Sequence, residues 1–256
     1  MNVFHRLINY IESRWGNPRL SWWRTVWINL RCLPLRQAIG LPVRIYGRVC
    51  LANLDGCIQL PNKAKLRIGR NGAGYVSAAP GRIAICDGGV WKVGANIGIS
   101  QGVSILIHCN AVFEMGDYST IGDSAKVICY HHIKVGRHCD LTWESQTMDF
   151  NSHLTENIIE GGGISEIIKD IEIGDYCWIG NRTTVMPGTR LPQRTIVASN
   201  SLLNKDYTTS IDSYSLIGGI PARLLQTGIR RIYDLNRERL LINEQLAAVH
   251  HLRQTT

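Results

Sequence analysis

The chain has 256 residues, 45% hydrophobic and 19% charged, enough for one large domain or two small ones with a sizeable core. Its net charge of +8 is lopsided: eight Arg and a single acid, Glu12, precede residue 55, while the remainder is nearly balanced. No apolar run reaches the roughly 18–20 residues of a membrane span, "MNVFHRLINYIESR" lacks the apolar core of a signal peptide, and the eight cysteines show no zinc-knuckle spacing, so reduced thiols in a cytoplasmic protein are expected.

Residues 1–42 read as short helices broken by Pro18, Pro34 and Pro42. Trp15, Trp22, Trp23 and Trp27 fall close together, interleaved with Arg14, Arg19, Arg24 and Arg31. Indoles favour the lipid headgroup level and guanidinium groups meet anionic lipid, so peripheral contact with the inner face of a membrane is one expectation. Packing of these aromatics on the rest of the chain or on a neighbouring subunit is the other. No nucleic-acid-binding motif appears.

Residues 43–67 alternate loosely and read as irregular opening coils. Beyond them one phrase recurs: "LRIG" ending at Gly69, "WKVG" at Gly94, "FEMG" at Gly116, "IKVG" at Gly136 and "IEIG" at Gly174. These glycines are expected to take the positive φ of a tight corner. After the last phrase an aliphatic stands at every sixth residue: Ile173, Ile179, Val185, Leu191, Val197 and Leu203. Four residues after each of the first five comes a small one: Cys177, Thr183, Thr189, Thr195 and Ser201. Six is a multiple of the strand period of two, so short strands joined by regular turns carry it. A narrow interior then needs one large and one small inward residue per side.

The aliphatic-Gly-x-x-small-x pattern resembles that of the hexapeptide-repeat acyltransferases, and in particular the bacterial polysaccharide and capsule O-acetyltransferases. The resemblance implies a mainly β chain: a left-handed parallel β-helix over residues 43–205, with 18 residues to a coil, between the N-terminal segment and a closing segment at 206–256. Against that unit the glycine spacings of 25, 22, 20 and 38 leave insertions, the largest at about residues 153–172. An excursion from a rigid scaffold is where function concentrates.

His153 stands where the chain leaves the coil. "TMDFNSH" resembles the family motif in which an Asp, here Asp149, lies four residues before the catalytic His. Imidazole is suited to take a hydroxyl proton near neutral pH, so the resemblance implies direct acetyl transfer from acetyl-CoA with His153 as general base. Asp149 either orients that imidazole or closes a turn; Glu156 is a weaker candidate. The triplet Gly161–Gly163 would let the loop flex over a substrate. For the donor, the resemblance points to Trp178 and Gly180 in "CWIG", to Ala198 and Ser199 along the pantetheine arm, and to Lys205 and Arg223 at the phosphates of CoA. Ala198–Asn200 and Asn181 depart from the smaller residues frequent in the family. A homotrimer with sites between subunits, acting on a glycan acceptor, follows from the same resemblance.

From Ile229 to Leu252 the pattern Ile232, Leu235, Leu246 and Val249 predicts an amphipathic helix. Three other readings stay open. One is acetylation of a small acceptor such as an antibiotic. Another is a zinc carbonic anhydrase of the same fold, for which His132 and His138 are the plausible pair, although six apart. The third is a non-catalytic scaffold. No metal is expected. His108 and His131 read as structural, and Cys177 as inert core.

Overall fold

The computed structural model describes residues 18–70, 79–159 and 162–254. Arg14, Trp15 and Gly161 therefore lie outside the described residues. From Val43 to Leu203 the chain passes through three sheets in rotation, each strand pairing in parallel with strands one coil earlier and one coil later. Sheet 1 starts at Val43–Ile45, sheet 2 at Val49–Leu54 and sheet 3 at Cys57–Gln59; their last coiled strands are Ile196–Val197, Leu202–Leu203 and Arg190–Leu191. The result is a parallel β-helix of triangular section. Its opening coil pairs in register with the next, apart from a bulge between Leu51 and Asn53, and is more regular than its sequence suggests.

The interior follows the two hexad rules. The six aliphatics from Ile173 to Leu203 are at most 2% exposed, and Cys177, Thr183, Thr189, Thr195 and Ser201 are also buried. The small residues do more than save space. Thr189 donates to the Met186 carbonyl (2.7 Å), Thr195 to Pro192 (2.8 Å) and Ser201 to Ala198 (2.7 Å), so each hydroxyl satisfies a corner carbonyl that no ladder reaches. Upstream coils have longer perimeters, and their wider interior takes Trp91 stacked on Phe113 with centroids 5.9 Å apart.

The recurrent glycines serve a different end from the one expected. Gly69 has positive φ, but the other positive values fall two residues beyond the remaining glycines, on Asn96, Tyr118, His138 and Tyr176. Gly94, Gly116, Gly136 and Gly174 are required because successive coils touch there. A Cβ on Gly116 would lie 2.5 Å from the Arg137 amide nitrogen and 2.6 Å from the Gly136 carbonyl carbon. The aspartate that follows Gly116 and Gly174 uses the same closeness: Asp117 accepts from the Ala95 amide (2.7 Å) and Asp175 from that of Arg137 (2.9 Å). Gly116→Ala must spread two coils, and overpacking of this kind costs about 1–3 kcal/mol. Thermal denaturation should show a lowered midpoint with the coil otherwise intact.

Both ends are covered. Helix α1 (Trp22–Cys32) and the single turn α2 (Leu35–Ala38) lie at the first coil, with Thr25, Ile28, Asn29 and Cys32 of α1 buried. The indoles of Trp22, Trp23 and Trp27 are not core of this chain; they point outward. At the other end Leu216–Gly219 extends sheet 1, and Ala222–Gln226 turns back antiparallel against it. The predicted C-terminal helix begins at Leu235 and runs to Gln254 as α3, leaving Ile232 before it and exposing Leu240, Ile242 and Leu246.

Candidate active site

From Ile97 onward every extra residue enters at one corner, between sheets 2 and 3, and the great excursion is the longest of these insertions. It leaves after Met148 and returns at Ile171. Asp149 is fully buried at the exit. Its carboxylate accepts from the backbone amides of Tyr130 (2.7 Å) and His131 (2.9 Å) one coil earlier, while its carbonyl accepts from Lys169 at the return (3.0 Å). These contacts tie the exit to the previous coil; no bond joins Asp149 to His153 among the described residues. His108, Tyr130 and Phe150 stack ring on ring up this corner, at 4.3 and 4.0 Å. Beside them His131 Nδ1 meets Asp170 Oδ1 at 2.5 Å, a contact that raises the imidazole pKa above its ordinary value. The exit is therefore held by a buried carboxylate and an aromatic ladder.

The excursion is an antiparallel arm rather than a loose loop. The Asn151 amide donates to Ile167 (2.8 Å), Ser165 to Thr155 (2.8 Å) and Asn157 to Gly163 (3.1 Å). A Cβ on Gly162 would strike the Asn157 carbonyl, so this glycine serves close approach of the two arms rather than looseness. His153 lies exposed near the base of the arm, with no hydrogen bond to its ring among the described residues. Glu156 is bridged through its backbone to Ile164. Leu154, Ile158, Ile159 and Ile164 are all more than 60% exposed, an apolar surface left uncovered among the described residues.

The donor candidates gather elsewhere. Trp178 stands on the outer face of sheet 1, and Gly180 packs beneath the next coil, where its Cβ would lie 2.5 Å from the Ser199 amide nitrogen. Ser199 bonds to Asn181 across the same corner, between sheets 1 and 2. Ala198 lies against Gly218, and Arg223 is paired with Gly218 in the closing hairpin. Lys205 departs from this group. It follows sheet 2, on the corner that carries the arm, with its ammonium 5.3 Å from the centre of the Tyr207 ring. One chain thus brings together Trp178, Gly180, Ala198, Ser199 and Arg223, and holds His153, Asp149 and Lys205 on another edge of the triangle.

Sequence reasoning passed over a groove of about 660 Å³ on the face of sheet 1. Trp143 and Trp178 line it together with Arg67, Asp123, Asp140 and Arg231. Arg231, from the strap before α3, forms an ion pair with Asp140, and its guanidinium carbon is 5.5 Å from the centre of the Trp178 ring. Tyr233 fixes the strap by donating to the Tyr176 carbonyl (2.5 Å). Burial raises the Asp123 carboxyl pKa, and the Gln101 amide opposes that shift. The available signal was the basic pair in "IRRIY" just after the closing phrase.

Two further histidines have structural partners. His132 Nε2 meets Glu114 at 3.0 Å on sheet 3, whereas His138 sits at a corner between Tyr118 and Tyr176. They do not converge, and among the described residues no three His, Cys, Asp or Glu side chains form a metal-binding group. Cys177 is fully buried at its inward position. All eight cysteines are free.

No family model matches the chain. Over 54 residues, 21% of the chain, it is 35% identical to a chloramphenicol acetyltransferase of Klebsiella aerogenes, and over 57 residues 37% identical to a probable macrolide acetyltransferase of Lysinibacillus sphaericus. The matches span only 24% and 29% of those relatives' own length. In fold the chain is similar to the crystal structure of the polySia specific acetyltransferase NeuO, with a TM-score of 0.57 and 16% identity over 83% of this chain and 94% of that one. The three rotating sheets, the hexads and that likeness together give this chain the fold of the hexapeptide-repeat acyltransferases, a left-handed parallel β-helix.

Proposed function

We propose that the protein is an acetyl-CoA-dependent O-acetyltransferase acting on a sugar hydroxyl of a surface polysaccharide or its lipid-linked precursor, at the cytoplasmic face of the membrane. The observation that carries the proposal is the exposed His153 on an arm whose base is fixed and whose apolar side is uncovered. In the reaction, the His153 imidazole takes the proton of the acceptor hydroxyl as its oxygen attacks the thioester carbonyl. The tetrahedral intermediate collapses to the acetyl ester, and the CoA thiolate leaves and recovers the proton from the imidazolium. Asp149 acts as a positioning residue, setting where the arm departs. The fold likeness to a polySia specific acetyltransferase supports a glycan acceptor.

His153 and the Trp178–Ser199–Arg223 group occupy different edges of one chain, so the complete site forms between subunits of a homotrimer. The uncovered aliphatics of the arm support this, because apolar surface of that kind marks an interaction site. The local similarity to chloramphenicol and macrolide acetyltransferases favours a second reading, a small acceptor in the same site. Both readings require the donor. Calorimetric titration with acetyl-CoA should give saturable binding, weakened in Arg223→Glu by loss of a charge-assisted phosphate contact. Absence of binding at high acetyl-CoA would remove both, while transfer to chloramphenicol but to no glycan would select the second.

A further inference from the structure

Helix α1 is turned inside out relative to an ordinary surface helix. Its buried stripe, Thr25, Ile28, Asn29 and Cys32, includes two polar side chains, while Trp22, Trp23, Val26, Trp27 and Leu30 form the stripe facing away from the coil. The polar residues face inward because, among the described residues, the first strand of sheet 1 has no strand beyond it. Asn29 Oδ1 accepts from the Val43 amide (3.2 Å), its Nδ2 donates to the Val43 carbonyl (2.7 Å), and Thr25 Oγ1 accepts from the Ile45 amide (3.0 Å). An exposed row of amides and carbonyls would otherwise invite pairing with another chain. α1 closes that edge with hydrogen bonds, which frees its apolar residues to face outward.

That outward face is large and basic. Trp22 and Trp23 are 65% and 63% exposed, Trp27 is 51% exposed, and Leu35 and Ile39 continue the apolar surface past the helix at 68% and 76%. Arginines frame it. Arg24 lies 4.3 Å from the centre of the Trp23 ring, Arg31 lies 5.9 Å from that of Trp27, and Arg48 lines one shallow groove with Trp23, Arg24 and Trp27. Arg36 and Arg44 are also exposed. Asp55 pairs with Arg31 at 2.8 Å, leaving the face strongly positive.

We propose that this face is an interfacial anchor for an anionic lipid bilayer. Indoles at the headgroup level with guanidinium groups beside them match the chemistry of such an interface, where apolar area and attraction to anionic lipid add. A second copy is the poorer occupant, since it would set arginine against arginine. The face caps the coil at its first rung, so docking presents that end of the triangle to the membrane and leaves the arm and the sheet 1 groove to the side. This inference does not depend on the acyl-transfer reading, because the test contains no acyl donor.

The test is co-sedimentation of the full chain with phosphatidylglycerol-containing vesicles and with pure phosphatidylcholine vesicles, over a range of salt. The wild type should bind the anionic vesicles and release as salt rises. Each arginine near a membrane surface is worth about 1 kcal/mol, so Arg24→Glu with Arg36→Glu should weaken binding at least about 25-fold. Trp23→Ser with Trp27→Ser changes only exposed side chains and should also release the protein while retaining its melting temperature. Brominated acyl chains should quench tryptophan emission in the wild type and much less in that variant. No binding to anionic vesicles at low salt would overturn the proposal. So would binding that the tryptophan changes leave intact. A fall in solution mass in the tryptophan variant, without vesicle binding by the wild type, would assign the face to a contact between copies instead.

Discussion

Replacing His153 by alanine should lower acetyl transfer by roughly 10²–10⁴-fold, the range for loss of a general base. The effect belongs to turnover, since the donor candidates lie on another edge and the Kd for acetyl-CoA should stay close to that of the wild type. Because His153 is exposed and no side chain bonds to its ring among the described residues, the melting temperature should also be unchanged. The measurement is thioester consumption with a glycan acceptor, read beside a calorimetric titration of acetyl-CoA. Wild-type turnover in the variant would remove His153 as the base. Asp149→Ala offers a contrast, since it strips the acceptor from two backbone amides at the corner and so acts first on stability.

The coil was legible because its causes are local. A large inward residue at every sixth position and a small one four residues later are steric demands of a narrow interior, and Ile173 to Leu203 meet them without a break. Gly116 shows where the same logic slips. The glycine was visible, but positive φ and close approach both select glycine, and only the Arg137 amide in the next coil decides between them. Asp149 is a similar case: the amides that hold it belong to Tyr130 and His131, a full coil earlier, so its neighbours in sequence do not reveal them. The arm has the sequence of a flexible loop because its bonds, such as Ser165 to Thr155, follow no hexad pattern. Arg231 was missed for the opposite reason. Nothing in "IRRIY" names Asp140 or Trp178, which lie on earlier rungs of sheet 1.

The separation of His153 from the Trp178–Ser199–Arg223 group leads to a result that no single-chain site would give. If the proposed function holds, His153→Ala removes the base and Ser199→Trp obstructs the donor corner, where Ser199 is exposed, so each variant should be inactive alone. Mixed and reassembled in equal amounts, the two variants should recover activity. An interface works only when its arm comes from a Ser199→Trp chain and its donor face from a His153→Ala chain, which random assembly of a closed ring provides at about one interface in four. Recovery near a quarter of the wild-type rate would establish that the site spans two subunits, with the exposed Ile158 and Ile159 side of the arm against the neighbouring chain. Complete failure to recover, in mixtures shown by mass to contain both chains, would place the whole site within one subunit. The arm would then have to carry His153 around the corner of the triangle to reach Trp178, and its apolar side would need another partner.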